Sequence, residues 1–160
     1  MTFRDTRFSV SPPEELGQQL DDWILRNLDT ALTLKFPDAV IPYMAYPTED
    51  IPVHCLVQVK SGRNCVKANA STGIFATDIV VGHISDRVTV VAPMANINIS
   101  LGMQDVPGDF YPLFCGDGGT ISTTVPTTGT VQRIGVALHW DEAKNNTFCR
   151  IQPDILGGSS

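Results

Sequence analysis

Residues 131–138, Val131-Gln132-Arg133-Ile134-Gly135-Val136-Ala137-Leu138, alternate as a strand with one covered face does. Residues 147–152, Thr147-Phe148-Cys149-Arg150-Ile151-Gln152, supply a second short strand across the polar stretch 140–146. Gly135 marks a bend or a close backbone approach inside the first strand. The pair reads as the closing hairpin of a β fold, and residues 131–138 as the strand that completes a barrel.

The same pattern recurs upstream. Val53-His54-Cys55-Leu56-Val57-Gln58-Val59, the turn Ser61-Gly62-Arg63-Asn64 and Cys65-Val66-Lys67 form an expected hairpin. Residues 74–84 and 86–92 repeat strand, polar turn and strand, and residues 97–101 and 110–115 are shorter apolar runs bounded by Pro107-Gly108 and Asp117-Gly118-Gly119. Many short strands at this spacing predict a mainly β chain, a small antiparallel barrel or sandwich, and not a parallel α/β sheet.

The first 50 residues read differently. Residues 1–10 carry Phe3 and Phe8 among Arg4, Asp5 and Arg7, with no period long enough to stand alone, and are expected to be an arm. Ser11-Pro12-Pro13-Glu14 combines a cap, a proline at the first helical position and a capping-box glutamate. Leu16, Leu20, Trp23, Ile24, Leu28 and Leu32 then recur at spacings of three and four, which predicts one amphipathic helix over about 13–35, ended by Lys35-Phe36-Pro37. Residues 41–50, with Pro42 and Pro47, are expected as an extended connector. The expected organisation is therefore arm, helix and connector over 1–50, a β-barrel domain over 51–156 and a flexible tail over 157–160.

The chain has 160 residues, is 42% hydrophobic and carries a formal net charge of -6, so one domain with a real core is expected. The acidic balance speaks against a phosphate-binding surface, because nucleic-acid affinity rests on clustered Lys and Arg. The longest basic cluster, over 60–67, holds only Lys60, Arg63 and Lys67. No run approaches the roughly 18 apolar residues of a membrane span, and the N-terminus shows no basic segment followed by an apolar one. Neither nucleic acid nor membrane is an expected partner.

Cys55, Cys65, Cys115 and Cys149 form no C-x-x-C pair, so a zinc site is not expected; Cys55, Cys115 and Cys149 sit in apolar runs, which favours buried free thiols over a disulfide, a pairing that sequence alone does not fix. His54, His83 and His139 fall in three separate strand-like runs, none beside a carboxylate at a spacing that dictates geometry. Cys115 before Gly116 with His139 as base lacks the strained turn of a nucleophile elbow. Asp117-Gly118-Gly119 reads as a turn, since the alternating acids and terminal glutamate of a calcium loop are missing. Asp141-Glu142 are adjacent and point apart on extended chain, which does not make a glycosidase dyad. No glycine-rich phosphate loop occurs. No catalytic, metal or cofactor-binding residue is assigned, and a structural or binding protein is expected, not an enzyme.

The C-terminal third resembles tailed-phage virion proteins, including capsid decoration (cement) proteins and capsid-proximal or tip domains of fibres. The matching residues are Asp117-Gly118-Gly119-Thr120, Thr123-Thr124-Val125-Pro126-Thr127-Thr128-Gly129, residues 131–138 and Ile151-Gln152-Pro153-Asp154. The longer turn at His139 to Asn146 departs from that pattern, and residues 1–50 lie outside it. The absence of a coiled-coil, collagen-like or repetitive shaft in the sequence favours decoration over a fibre. The resemblance implies a capsid decoration protein that binds the assembled major capsid protein lattice on the outer virion surface and stabilises the head, with many weak copies acting together. Synthesis in the host cytoplasm and a homo-oligomer, dimer or trimer, are expected with it. A tail, baseplate or fibre component is the nearest alternative; a small hydrolase using His with Cys or Asp is the alternative from another class, and it requires the three histidines to meet an acid in one pocket. Partner contacts are expected in the arm, helix and connector, at Phe3, Arg4, Arg7, Phe8, Trp23, Tyr43, Met44 and Tyr46.

Overall fold

The computed structural model describes residues 30–102 and 110–155. Residues 30–35 are helical and end where expected: the Phe36 N–H reaches the Leu32 carbonyl at 2.9 Å, and Pro37 cannot continue the ladder. Leu32, the last residue of the predicted apolar stripe, is buried. The arm, the helix before residue 30 and the tail over 157–160 lie outside the described residues.

Among the described residues eleven strands follow: β1 (Ala39–Val40), β2 (Tyr43–Pro47), β3 (Leu56–Val59), β4 (Asn64–Lys67), β5 (Asp78–Ser85), β6 (Val88–Ala92), β7 (Met94–Ile99), β8 (Tyr111–Cys115), β9 (Ile121–Ser122), β10 (Arg133–Asp141) and β11 (Asn146–Ile151). They form two sheets, a closed barrel in the order β2-β4-β3-β5-β6 and a six-stranded sheet in the order β1-β7-β11-β10-β8-β9. Among the described strands β2 and β4 alone pair in parallel. The fold is mainly β, as the strand spacing predicts, and holds both a barrel and an open sheet, but the strand expected over 131–138 to complete the barrel lies in the open sheet as β10, and the barrel closes without it.

The two sheets share a wall. Ala45, Ile51, Cys55, Val57, Cys65, Val80 and Val91 fill the barrel. Leu56, Ala68, Ala76, Ile79 and Ala92 point out of it and pack against Ala95, Ile97, Leu113, Cys115, Ile134, Ala137, Cys149 and Ile151 of the open sheet. Consecutive residues such as Leu56 and Val57, or Ile79 and Val80, therefore serve opposite cores, because successive side chains leave a strand on opposite faces. That is why β3, β5 and β6 carry adjacent apolar residues, Leu56-Val57, Ile79-Val80-Val81 and Val90-Val91-Ala92. In β11, by contrast, Thr147, Cys149 and Ile151 are buried while Arg150 is exposed, the signature of a sheet with one covered face. Each fully buried Leu, Ile or Val contributes about 1.5–3 kcal/mol of transfer free energy, so two cores of this size account for much of the favourable side of folding.

The three expected hairpins form: β3 with β4, β5 with β6, and β10 with β11. The last is tighter than the sequence suggests. The strands run on to Asp141 and Asn146, leaving a turn over 142–145 in which Asp141 Oδ1 accepts from the Lys144 N–H at 3.3 Å and Asn145 takes φ 53. Gly135 is a close approach: a Cβ there would lie 2.3 Å from the Arg150 carbonyl oxygen.

The expected connector is instead part of the fold. Tyr43, Met44 and Ala45 pair with Val91, Val90 and Thr89 of β6, and Tyr46 and Pro47 pair with β4. The domain boundary expected after residue 50 thus falls behind a barrel strand. Pro42 precedes β2 and Pro47 is its last residue, so neither proline removes a central ladder bond, and the partner that makes the segment a strand lies more than 40 residues away in sequence, beyond any local signal.

Candidate functional site

The segments 117–120, 123–129, 131–138 and 151–154 are close together in the fold. Asp117–Gly119 is a turn of 3-10 helix with Gly118 and Gly119 at φ 66 and φ 75. Its Asp117 Oδ1 accepts from the Ser71 N–H at 2.8 Å, so the carboxylate is engaged in holding the turn. Gly119 N–H donates to the Ala68 carbonyl at 2.6 Å and Thr130 N–H to the Ala70 carbonyl at 2.8 Å, which fixes both ends of the Thr-rich stretch against the barrel side. Beyond that stretch, β10 lies between β8 and β11.

The register defines an outer face on this sheet. Asn96, Arg150, Val136 and Pro112 stand in one cross-strand row, and Asn98, Phe148 and His139 in the next. Arg150 Nε donates to Asn96 Oδ1 at 3.4 Å, and the His139 and Phe148 rings stack with centroids 5.1 Å apart. Phe114 pairs with Arg133 at the β8 side. Arg133, Arg150 and His139 are exposed, and Pro112, Phe114, Val136 and Phe148 are half-buried. A broad face with apolar groups between cationic ones has the composition of a protein contact surface, where aromatics and arginine carry most of the binding.

The histidines are dispersed. His54 sits not in a strand but in the turn before β3, at φ 70. It lines a groove of about 360 Å³ with Lys35, Phe36, Asp38, Val81 and the β7 edge, and burial holds its imidazole below the ordinary value of 6.5. His83 lines a different groove of about 340 Å³ with Glu49, Asp50 and Asp86. His139 belongs to the outer sheet face. Cys115 is buried on the inner face of the sheet, away from His139, and burial pushes its thiol up to about 12. Among the described residues no three His, Cys, Asp or Glu side chains are arranged to hold a metal ion, and no Cys forms a disulfide, as the apolar setting of these residues predicts.

Of the expected contact residues, Phe3, Arg4, Arg7, Phe8 and Trp23 lie outside the described residues. Tyr46 is exposed and Met44 and Tyr43 are half-buried, and burial together with the nearby Asp78 holds the Tyr43 phenol well above its ordinary value. Two polar side chains escape a sequence reading altogether. Asp78 and Gln132 are both buried, at 4% and 1% exposure, and each follows a β-forming or small residue in a way that also suits a surface strand; nothing local marks either as internal.

Comparison with protein-family models, with curated protein sequences and with solved structures returned no match for this chain.

Proposed function

We propose that this chain is a structural virion protein that binds the assembled major capsid protein lattice and stabilises the head, as a decoration protein does. The observation that carries the reading is the continuity of the outer sheet face: residues 131–138 and 151–154, which bear the resemblance, belong to the hairpin whose face presents Arg133, Val136, Phe148 and Arg150. Such a face suits docking on a large, repetitive surface, where modest single contacts suffice because neighbouring copies act together. Phe3, Arg4, Arg7, Phe8 and Trp23 add contacts to the lattice or to neighbouring copies in a dimer or trimer, and Met44 and Tyr46 add to them from the barrel.

The test adds purified protein to capsids that lack it and measures occupancy and resistance to heat. Saturable, shell-wide binding with a raised disruption temperature is expected. Absence of both binding and protection removes the proposal, and antibody labelling confined to tails moves the protein to the tail or baseplate.

A further inference from the structure

Asp78 opens β5, and its carboxyl is buried among neutral hydrogen-bond partners. Thr77 Oγ1 donates to Oδ1 at 2.6 Å, and the Tyr43 phenol lies beside the same carboxyl. Thr77 Oγ1 in turn accepts from the Val59 N–H at 2.9 Å. The bonds from Val59 through Thr77 to Asp78 thus join β3 to β5, and Tyr43 brings β2 against the same carboxyl. In the barrel order β2 and β5 are not neighbours, so Tyr43 and Asp78 approach each other from strands that no ladder connects.

What it closes over is the β3–β4 hairpin. On one side the hairpin meets β2 through Tyr46↔Asn64 and Pro47↔Cys65, extended by the Thr48 N–H to the Cys65 carbonyl at 3.1 Å. On the other it meets β5 through Leu56↔Ile79 and Val57↔Asp78, extended by the Val80 N–H to the Cys55 carbonyl at 2.9 Å. Both seams are short beside the β5–β6 and β10–β11 ladders, and short seams open first in local unfolding. The titratable groups around the carboxyl are Tyr43 on β2 and Cys65 on β4, with Glu49 from the loop after β2 acting on Cys65 and Arg63 before β4 acting on the Tyr43 phenol. β3 and β6 contribute no titratable side chain.

We infer that the Asp78 carboxyl is a proton-operated latch on the β3–β4 hairpin, holding it shut when protonated and releasing it to open locally when ionised. An ionised carboxylate in the barrel wall loses its hydration, and opening the seam restores it. Burial raises the Asp78 pKa above its ordinary value of 3.8, and the two hydroxyls only partly oppose this. The sign follows: the closed state binds the proton more tightly than the open one, so the stabilisation is complete below 3.8 and is lost as pH rises through the raised value.

Hydrogen exchange on the full chain between about pH 4.5 and 8, corrected for the intrinsic rate of exchange, tests the latch at the Thr48 and Val59 amides against the Cys149 amide of β11. One titrating group gives at most about a tenfold loss of protection per pH unit. The Thr48 and Val59 amides are expected to lose protection as pH rises while Cys149 does not. Asp78→Asn, which keeps both hydroxyl partners, is expected to flatten that dependence. Tyr43→Phe removes a donor that favours the charged form and is expected to move the loss to higher pH. An Asp78→Asn chain with the wild-type pH dependence overturns the inference; if that variant does not fold, a Tyr43→Phe chain with an unshifted profile overturns it equally.

Discussion

The side-chain amide of Gln132 pairs with the main chain of Ala76 at both ends, its Oε1 accepting from the Ala76 N–H at 2.6 Å and its Nε2 donating to the Ala76 carbonyl at 2.7 Å. The side chain takes the place of a neighbouring strand for a residue that precedes β5 and has no ladder of its own. Nε2 also reaches the Asp154 carbonyl at 3.3 Å, so one amide links the barrel, β10 and the chain after β11.

Gln132→Leu keeps the volume and removes every one of these bonds. It leaves a buried N–H and a buried carbonyl at Ala76 unpaired, at about 1–3 kcal/mol each, so an overall loss of about 2–5 kcal/mol is expected. Urea denaturation at neutral pH measures it, and a loss below about 1 kcal/mol would show that Ala76 finds other partners.

Gly118 and Gly119 both sit at positive φ, yet only one faces the protein. A Cβ on Gly118 meets nothing within 4 Å, whereas one on Gly119 would lie 2.2 Å from Cys55 Sγ and 2.6 Å from the Leu56 carbonyl oxygen. Gly118→Ala is expected to cost about 1–2 kcal/mol, the backbone penalty alone. Gly119→Ala should cost at least about 2 kcal/mol more, since the turn must back away from the barrel. Thermal denaturation of the two variants side by side gives the difference.

The thiols supply an alkaline limit. Burial raises Cys55 and Cys65 to about 11, and Cys115 and Cys149 to about 12, from an ordinary 9.0. Thiols with raised folded pKa values contribute stability that is present below pH 9.0 and lost as pH climbs toward 11–12. Stability is therefore expected to fall steadily above pH 9, and a Cys149→Ala chain to fall less steeply. At pH 8 a thiol reagent should modify the native protein slowly and all four cysteines rapidly in denaturant.

The outer face and the arm can be separated as lattice contacts. Val136→Glu places a charge among Arg150, Pro112 and Phe148 without entering either core, so stability should change by less than about 0.5 kcal/mol. Capsid occupancy is expected to drop at least about tenfold, as befits loss of an interface centre. Removal of residues 1–12 should weaken binding and leave the fold intact. Unchanged occupancy for Val136→Glu with loss on truncation would assign the contact to the arm and not to the sheet.

Much of the strand content was readable, because period-two alternation in β10 and β11 and turn residues such as Ser61-Gly62 are local signals. Tyr43 shows where local reading stops. Its segment carries two prolines and no alternation that singles out a core face, and it becomes a strand only because β6 and β4 present open ladders to it. The same holds for the candidate site. Arg133 and Arg150 are visible as polar interruptions in two strands, but that they flank one exposed face depends on strand order, which periodicity does not contain.

The sequence by itself determined that the chain is mainly β, which runs pair as its three hairpins and that its helical segment stops before Pro37, since each of these depends on neighbours a few residues apart; that the thiols are unpaired is seen in the structure. The tertiary structure decided that β3, β5 and β6 form a wall between two cores, that residues 43–47 close the barrel, and that Asp78 and Gln132 are internal. Those outcomes depend on which distant segments meet, and the same polar side chain is a surface group or a buried tie according to what folds over it.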